Sequence, residues 1–204
     1  MSDFRDDSHA ARPAKARLRA DILRRRRALP AEARAAAAAQ VQVAVADLIR
    51  RFAPRCVAGY APVGSEPGGP DLPDVLATAV GPGGRVLLPV LRSDLDLDWA
   101  GYVPGSPLPA AGRGLREPAG ARLGAAAIGD AELVVVPAVA VDGRGVRLGR
   151  GGGSYDRALA RVGRGVLTVA LLHDGELVET VPAEAHDHRV RAVIMPGGLR
   201  PLSP

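Results

Sequence analysis

The eleven residues Arg147-Leu-Gly-Arg-Gly-Gly-Gly-Ser-Tyr-Asp-Arg157 constrain this chain more than any other feature. Glycines at 149, 151, 152 and 153 leave a backbone without Cβ atoms, free to close its N–H groups around an anion. Ser154 follows directly as a good N-cap, and Tyr155 to Val162 reads as a helix whose positive end faces the loop. Arg147, Arg150 and Arg157 add fixed positive charge, and Asp156 supplies a hard oxygen ligand for Mg²⁺. Together they suggest a nucleotide site. The plainer reading is an irregular surface loop in a chain with 25 glycines; the arginines and the helix start favour phosphate.

Two familiar phosphate loops fail on spacing. A P-loop needs Lys then Ser/Thr after its last glycine, and Ser154 is preceded by Gly153. The dinucleotide fingerprint needs a third glycine three residues after Gly151, where Ser154 stands, and it needs a strand immediately before it. A serine hydrolase is equally poor, because Gly152-Gly-Ser-Tyr-Asp156 breaks the nucleophile-elbow pattern at its last position. Zinc would lack ligands, with Cys56, His9 and His173 scattered along the chain.

At 204 residues with 47% hydrophobic and 24% charged content, the chain is globular and is read as one domain. No apolar run is long enough to span a bilayer, and the first twelve residues lack the apolar centre of a secretory signal. The single Cys56 is read as a buried inert thiol, which fits a cytoplasmic protein. A net charge of +5 invites a nucleic-acid partner, but Lys15 is the sole lysine among 27 basic residues and aromatics are 3%. That arginine excess resembles coding bias, and base-stacking platforms are scarce. The Arg24–Arg27 run is read as solvated, its members pointing around the helix axis.

Residues 1–13 read as a flexible tail and 14–198 as the domain. Ala14–Ala28 is expected as a helix with Leu18 and Ile22 inward, and Ala31–Phe52 as a second with the stripe Val41, Val45, Leu48 and Ile49. Then strand Cys56–Ala61, helix Leu72–Val80 and strand Arg85–Leu91 alternate. Ser93–Gly124 reads as loops and edge strands, with only Leu97 and Trp99 alternating. Leu133–Val136 is expected as a central parallel strand, followed by strands Val166–Leu172 and Val190–Met195. The fold class is α/β: a single three-layer α/β/α domain with a mostly parallel, Rossmann-like sheet and an N-terminal helical pair.

Three further constellations carry chemistry. Lys15 and Arg19, at i and i+4, share one helical face suited to a polyphosphate, though spacing alone favours a solvated pair. Glu66 sits in a loop after a strand, where α/β sheets bind ligands; a plain loop acid fits as well. Asp156 as a metal ligand needs a partner, and Asp187 in His186-Asp187-His188 is the candidate; the other reading balances a helix dipole.

In order and spacing these pieces resemble the 5-formyltetrahydrofolate cyclo-ligase family, from Lys15 to about Pro196. The most specific part is Val136-Pro-Ala-Val-Ala-Val-Asp142 followed by Gly145-Val-Arg-Leu-Gly-Arg-Gly-Gly-Gly-Ser-Tyr-Asp-Arg157. Supporting pieces are Leu88-Pro89, Gly114-Leu-Arg-Glu-Pro118 and Pro182-Ala-Glu-Ala-His-Asp187. The resemblance implies that Lys15, Arg19, Arg147, Leu148, Gly149, Arg150, Gly151, Gly152, Gly153, Ser154 and Tyr155 hold ATP. It implies that Asp156 and Asp187 hold Mg²⁺, and that Ala61 and Glu66, with Arg150 to Ser154, bind the folate. Arg147 and Tyr155 become the catalytic pair. Three positions depart from the family pattern: Val141 for a phenylalanine, Ser154 for an aromatic, and Glu176 for a glutamine in the strand after the loop helix.

The implied activity is ATP-dependent cyclisation of 5-formyltetrahydrofolate to 5,10-methenyltetrahydrofolate. It needs no protein nucleophile, which agrees with the absence of one above. The implied partners are these two small molecules, with a monomeric chain and neither membrane nor nucleic acid. A rival from another class is a non-catalytic RNA- or folate-binding member of the same fold, supported by the basic N-terminus.

Overall fold

The structure, a computed structural model, describes residues 6–184 and 187–203. The first five residues of the expected tail, and Ala185 and His186 of the Pro182–Asp187 motif, lie outside them.

Helix α1 runs Asp6–Ala28 and helix α2 Ala31–Phe52. The first therefore begins eight residues before its expected start, with Pro13 inside it. Pro13 is exposed, so its ring and missing N–H cost one helical bond and no packing. The inner face carries on past it: Ala11, Lys15, Ile22 and Arg26 are buried and Leu18 is partly so, at the i, i+3, i+4 spacing of a packed helix. Arg26 is thus no solvated residue. It stands one turn beyond Ile22 on the same face and is 2% exposed.

Strand β1 (Cys56–Ala58), helix α3 (Leu72–Val80), strands β2 (Arg85–Leu91), β3 (Leu97–Tyr102) and β4 (Leu133–Pro137) follow. Two 3₁₀ segments, Gly112–Gly114 and Ala125–Asp130, punctuate the proline- and glycine-rich stretch. After β5 (Ala140–Asp142) and β6 (Arg147–Leu148) come helix α4 (Ser154–Leu159), β7 (Leu167–Leu171), β8 (Leu177–Val178), β9 (Ala192–Met195) and β10 (Gly198–Pro201). No described helix is long and apolar enough to cross a membrane.

Seven strands form the main sheet in the order β10-β9-β7-β4-β1-β2-β3. The inner five are parallel, and β3 and β10 close the edges antiparallel. Helices α2 and α3 cover one face, where Val41, Val45, Ile49, Leu72 and Leu76 pack on Val57, Val135 and Leu171. The opposite face buries Ala58, Leu87, Trp99, Val134 and Val136 with Ile128 and Leu159. Each such aliphatic side chain contributes about 1.5–3 kcal/mol of hydrophobic stabilisation. A second sheet, β6-β5-β8, packs on α1 through Ile22, Val139, Val146, Leu148 and Val181.

The order of the parallel strands reverses between β1 and β4, the point at which doubly wound sheets bind ligands. Strand lengths deepen it. In register Ala58 lies between Leu87 and Val134, and β1 stops there while β2 continues to Leu91 and β4 to Pro137. The short central strand leaves a trough. Pro89 lies in the overhanging part of β2, beyond β1, where its missing N–H forfeits no bond to that neighbour.

Candidate functional site

That trough opens into a cavity of about 720 Å³. Tyr60, Ala61, Val63 and Glu66 enter it from the segment after β1, and Pro137, Ala138 and Val139 from the end of β4. Pro89, Leu91, Leu95, Leu97 and Leu115 form an apolar wall. Lys15 and Arg19 of α1, Arg147–Asp156, Glu184 and Asp187 supply the charge. Every residue that the family resemblance assigns to the site therefore lines one cavity. The sequence did not single out Arg12, Tyr60, Glu184 or Glu117, which also line it.

The glycine loop reaches the cavity because the β5–β6 hairpin is rigidly made. Asp142 is buried and accepts the N–H groups of Arg144 (2.9 Å), Val146 (3.0 Å) and Val181 (3.1 Å), with Arg144 Nη2 at 2.8 Å. Burial opposes its charge, but these donors win and hold its carboxyl below the usual range. Gly145 has φ +79°, and a Cβ there would lie 2.2 Å from the Val190 carbonyl oxygen. Beyond β6, Gly151 (φ +99°) and Gly153 (φ +67°) take left-handed conformations. The helix start differs from expectation: Gly153 is the N-cap, and Ser154 is the first helical residue and makes no capping bond. Helix α4 also ends at Leu159, three residues early, and unwinds into turns.

Lys15 is 8% exposed, its Nζ 2.8 Å from Glu184 Oε2 and 2.7 Å from Asp187 Oδ2. Burial alone would lower its pKa; Asp187 and Glu184 outweigh that and raise it, so the ammonium is permanent. Arg19 donates from Nε to the Gly149 carbonyl at 2.8 Å. Arg147, equally buried, holds Asp156 Oδ1 at 2.8 Å and lies 5.8 Å from the centre of the Tyr155 ring. Its Nε has no acceptor. Arg150 reaches across to Glu66 (2.9 Å), whose other oxygen accepts the Val63 N–H. Burial, and then the Glu66 carboxylate, push the Tyr155 phenol above its usual range, so at neutral pH it stays protonated and can donate a hydrogen bond. Arg157, counted among the loop's cations, does not line the cavity; it donates to the Leu95 carbonyl.

Asp156 and Asp187 both face the cavity, each held by a cation. Among the described residues no group of three or more His, Cys, Asp or Glu side chains forms a metal cage. Two carboxylates could supply hard oxygen ligands to a cation whose remaining ligands were water or ligand oxygens. Glu176 lies in the turn after β7, not in a strand, and is 4% exposed. Its partner is Arg26. Cys56 is buried, and burial first, with nearby Asp130 and Glu132, pushes its thiol up, as expected of an inert cysteine.

Fold and cavity together define a doubly wound α/β protein with a switch-point pocket, walled by leucines and a proline and lined elsewhere by cations and a glycine loop. The 5-formyltetrahydrofolate cyclo-ligase family model matches residues 11–196, and the chain belongs to that family. It is similar to the 5-formyltetrahydrofolate cyclo-ligase of Mycolicibacterium smegmatis, 42% identical over 187 residues, which span 89% of this chain and 93% of that one. The cyclo-ligase of Escherichia coli K12 is 36% identical over 117 residues, 56% of this chain and 64% of its own. The NMR structure of Aquifex aeolicus 5,10-methenyltetrahydrofolate synthetase matches with a TM-score of 0.76 at 28% identity, over 93% of each chain. The synthetase of Mycoplasma pneumoniae shares the fold, with a TM-score of 0.68 at 19% identity over 89% of this chain and 98% of that one.

Proposed function

We propose that this protein converts 5-formyltetrahydrofolate and ATP to 5,10-methenyltetrahydrofolate, ADP and phosphate. The observation that carries the reading is the convergence of Lys15, Arg19, Arg147 and the 149–155 loop on one cavity with Glu66 and an apolar wall. The formyl oxygen attacks the γ-phosphorus; an O–P bond forms and the bond to the leaving ADP breaks. Folate N10 then adds to the activated formyl carbon and loses its proton. The C–O bond breaks, phosphate leaves with that oxygen, and the C–N ring is closed.

The protein's part is alignment and charge neutralisation. Lys15 uses two of its three donors on Glu184 and Asp187, so one is left for a phosphate oxygen. The orphaned Nε–H of Arg147 costs about 1–3 kcal/mol that a bound oxyanion would remove after a small shift of the guanidinium. Backbone N–H groups from Gly149 to Ser154 cradle the phosphates, and Tyr155 donates a hydrogen bond near the formyl group. Ala61 and the Glu66 carboxylate line the folate side, Glu66 accepting from ring N–H groups. Asp156 and Asp187 would hold Mg²⁺, which when bound neutralises phosphoryl charge. The protein is read as a cytoplasmic monomer, its lone thiol inert. Catalysis is tested by the near-ultraviolet absorbance of 5,10-methenyltetrahydrofolate with Mg²⁺ and ATP present. Lys15→Ala should raise the KM for ATP at least about tenfold, the loss of one charge-assisted bond. A parent protein that binds folate without turnover would establish the non-catalytic rival.

A further inference from the structure

Beside the glycine loop, a cluster whose charged members do not line the cavity ties α4 to the turn between β2 and β3. Arg157 donates from Nη2 to the carbonyl oxygens of Leu95 (2.6 Å) and Gly152 (3.2 Å). One turn further, Arg161 grips both oxygens of Asp96 in a fork, at 3.0 and 2.6 Å. Leu95 is held at φ +65°, a left-handed conformation that costs a non-glycine residue roughly 1–2 kcal/mol and persists only where its surroundings fix it. Leu95 also lines the cavity, and its carbonyl accepts from Arg157.

We propose that Arg157, with Asp96 and Arg161 behind it, is a positioning residue that presets the glycine loop. A trans peptide is planar, with its C=O and N–H pointing in opposite directions. Fixing the Gly152 carbonyl on Arg157 therefore aims the Gly153 N–H the other way. Gly152 and Gly153 line the cavity and Arg157 does not, so the other way is toward the ligand. The guanidinium lies directly beneath Gly153, where an added Cβ would be 2.9 Å from Nη1. At the loop's opposite end Arg19, which lines the cavity, holds the Gly149 carbonyl and so pins the start of the loop. Arg157 thus leaves the Gly153 N–H oriented before an anion arrives. Donors fixed in advance do not reorganise on binding, which is where their strength comes from. Because the same guanidinium holds Leu95, the apolar wall and the phosphate loop keep a fixed separation.

This rests on the reading that the loop cradles ATP phosphates, and the test separates the two. ATP affinity is measured by calorimetry without folate, alongside KM for ATP, kcat and thermal stability. Arg157→Met should weaken ATP binding and raise its KM by about tenfold, the loss of preset hydrogen bonds. Arg157→Lys, which keeps the charge but not the fork, should recover less than half of that loss on a logarithmic scale. Arg161→Met, remote from the cavity, should give a smaller loss of about threefold in the same direction. Full recovery by Arg157→Lys would mean that charge alone acts, and would overturn the proposal. So would variants that melt earlier yet bind ATP like the parent. If the parent itself neither binds ATP nor turns over, the functional reading fails and takes the positioning role with it.

Discussion

Arg26 and Glu176, 150 residues apart, form a bidentate ion pair almost wholly out of solvent, with Nε 2.5 Å from Oε1 and Nη2 2.7 Å from Oε2. Arg26 also donates to the Ala138 carbonyl at 2.6 Å, and Glu176 accepts the His173 N–H at 2.8 Å. The His173 ring in turn reaches the Ser65 carbonyl at 3.0 Å. One buried network therefore joins α1, the end of β4 and the loop bearing Glu66.

Breaking one side of that pair strands the other charge in the interior. Arg26→Met should cost about 3–5 kcal/mol of stability, whereas Arg26→Met with Glu176→Leu should recover most of it. Urea midpoints compare the three proteins. A double variant as weak as the single one would show that the hydrogen bonds to Ala138 and His173, not charge pairing, carry the stability.

Two glycines within one hairpin and loop should respond in opposite ways. A Cβ at Gly145 meets backbone at 2.2 Å and the φ is positive, so Gly145→Ala should lower stability by several kcal/mol, on the order of the largest single-residue effects. A Cβ at Gly152 finds only Ser154 Oγ, at 3.4 Å. Gly152→Val should then keep its circular dichroism and melting temperature while losing activity, because Gly152 lines the cavity proposed for the phosphates. Retained turnover would remove the loop from the phosphate site.

Magnesium removal should separate activity from stability. With Asp156 on Arg147 and Asp187 on Lys15 already, the apo site is electrostatically satisfied. A chelator should abolish turnover and leave the melting temperature in place, unlike a protein folded around its metal. Asp156→Asn should cut kcat by about a hundredfold or more, with folding retained. A chelator-induced drop in melting temperature would indicate a resident ion.

Alkaline pH should unfold the protein early. Lys15 has its pKa raised above the ordinary 10.5, so its contribution is complete below that value and disappears as pH climbs through the folded-state pKa. Tyr102 is pushed up to about 12 by burial and by its bond to Asp74. Above about 10 the unfolded phenol ionises while the folded one does not, which favours unfolding. Both signs agree, and the buried Cys56 thiol, also raised, adds to them: stability is level through neutrality and falls from about pH 9. Tyr102→Phe should flatten the decline between pH 10 and 12 in urea titrations. An unchanged slope would assign the loss to Lys15, Cys56 and the buried phenols of Tyr60 and Tyr155.

The glycine-loop side of the cavity was legible because its residues are consecutive. The glycines, Arg147, Arg150 and Asp156 sit within one short run, and the backbone there takes the left-handed conformations that those glycines permit. Helix α2, helix α3 and strand β2 were equally plain, since each carries a full period of apolar residues between breakers. The small β6-β5-β8 sheet was not, because two- and three-residue strands have no period to read. Strand β10 hid for a similar reason, with Gly198 and Pro201 at its ends resembling a loop. Arg26 was lost in a run of four arginines, although its place one turn past Ile22 was the available signal. Pro13 was read as a boundary because a proline's local effect was weighed without the inner face that carries α1 past it. Glu184, Tyr60 and the leucine wall come together only through the sheet order.

Lys15 and Asp187 touch across 172 positions of sequence. During synthesis α1 leaves the ribosome with Lys15 and Arg26 exposed and the acids that accept them not yet made. The pocket can close only after Glu176 and Asp187 have emerged, 150 and 172 residues later. A nascent protein stalled before residue 176 would carry a helix whose inner face holds two cations without their carboxylate partners, ready for any acidic surface nearby. Contacts of such long range also slow folding. The same helix that completes the site is thus the part of the newborn chain most in need of shelter.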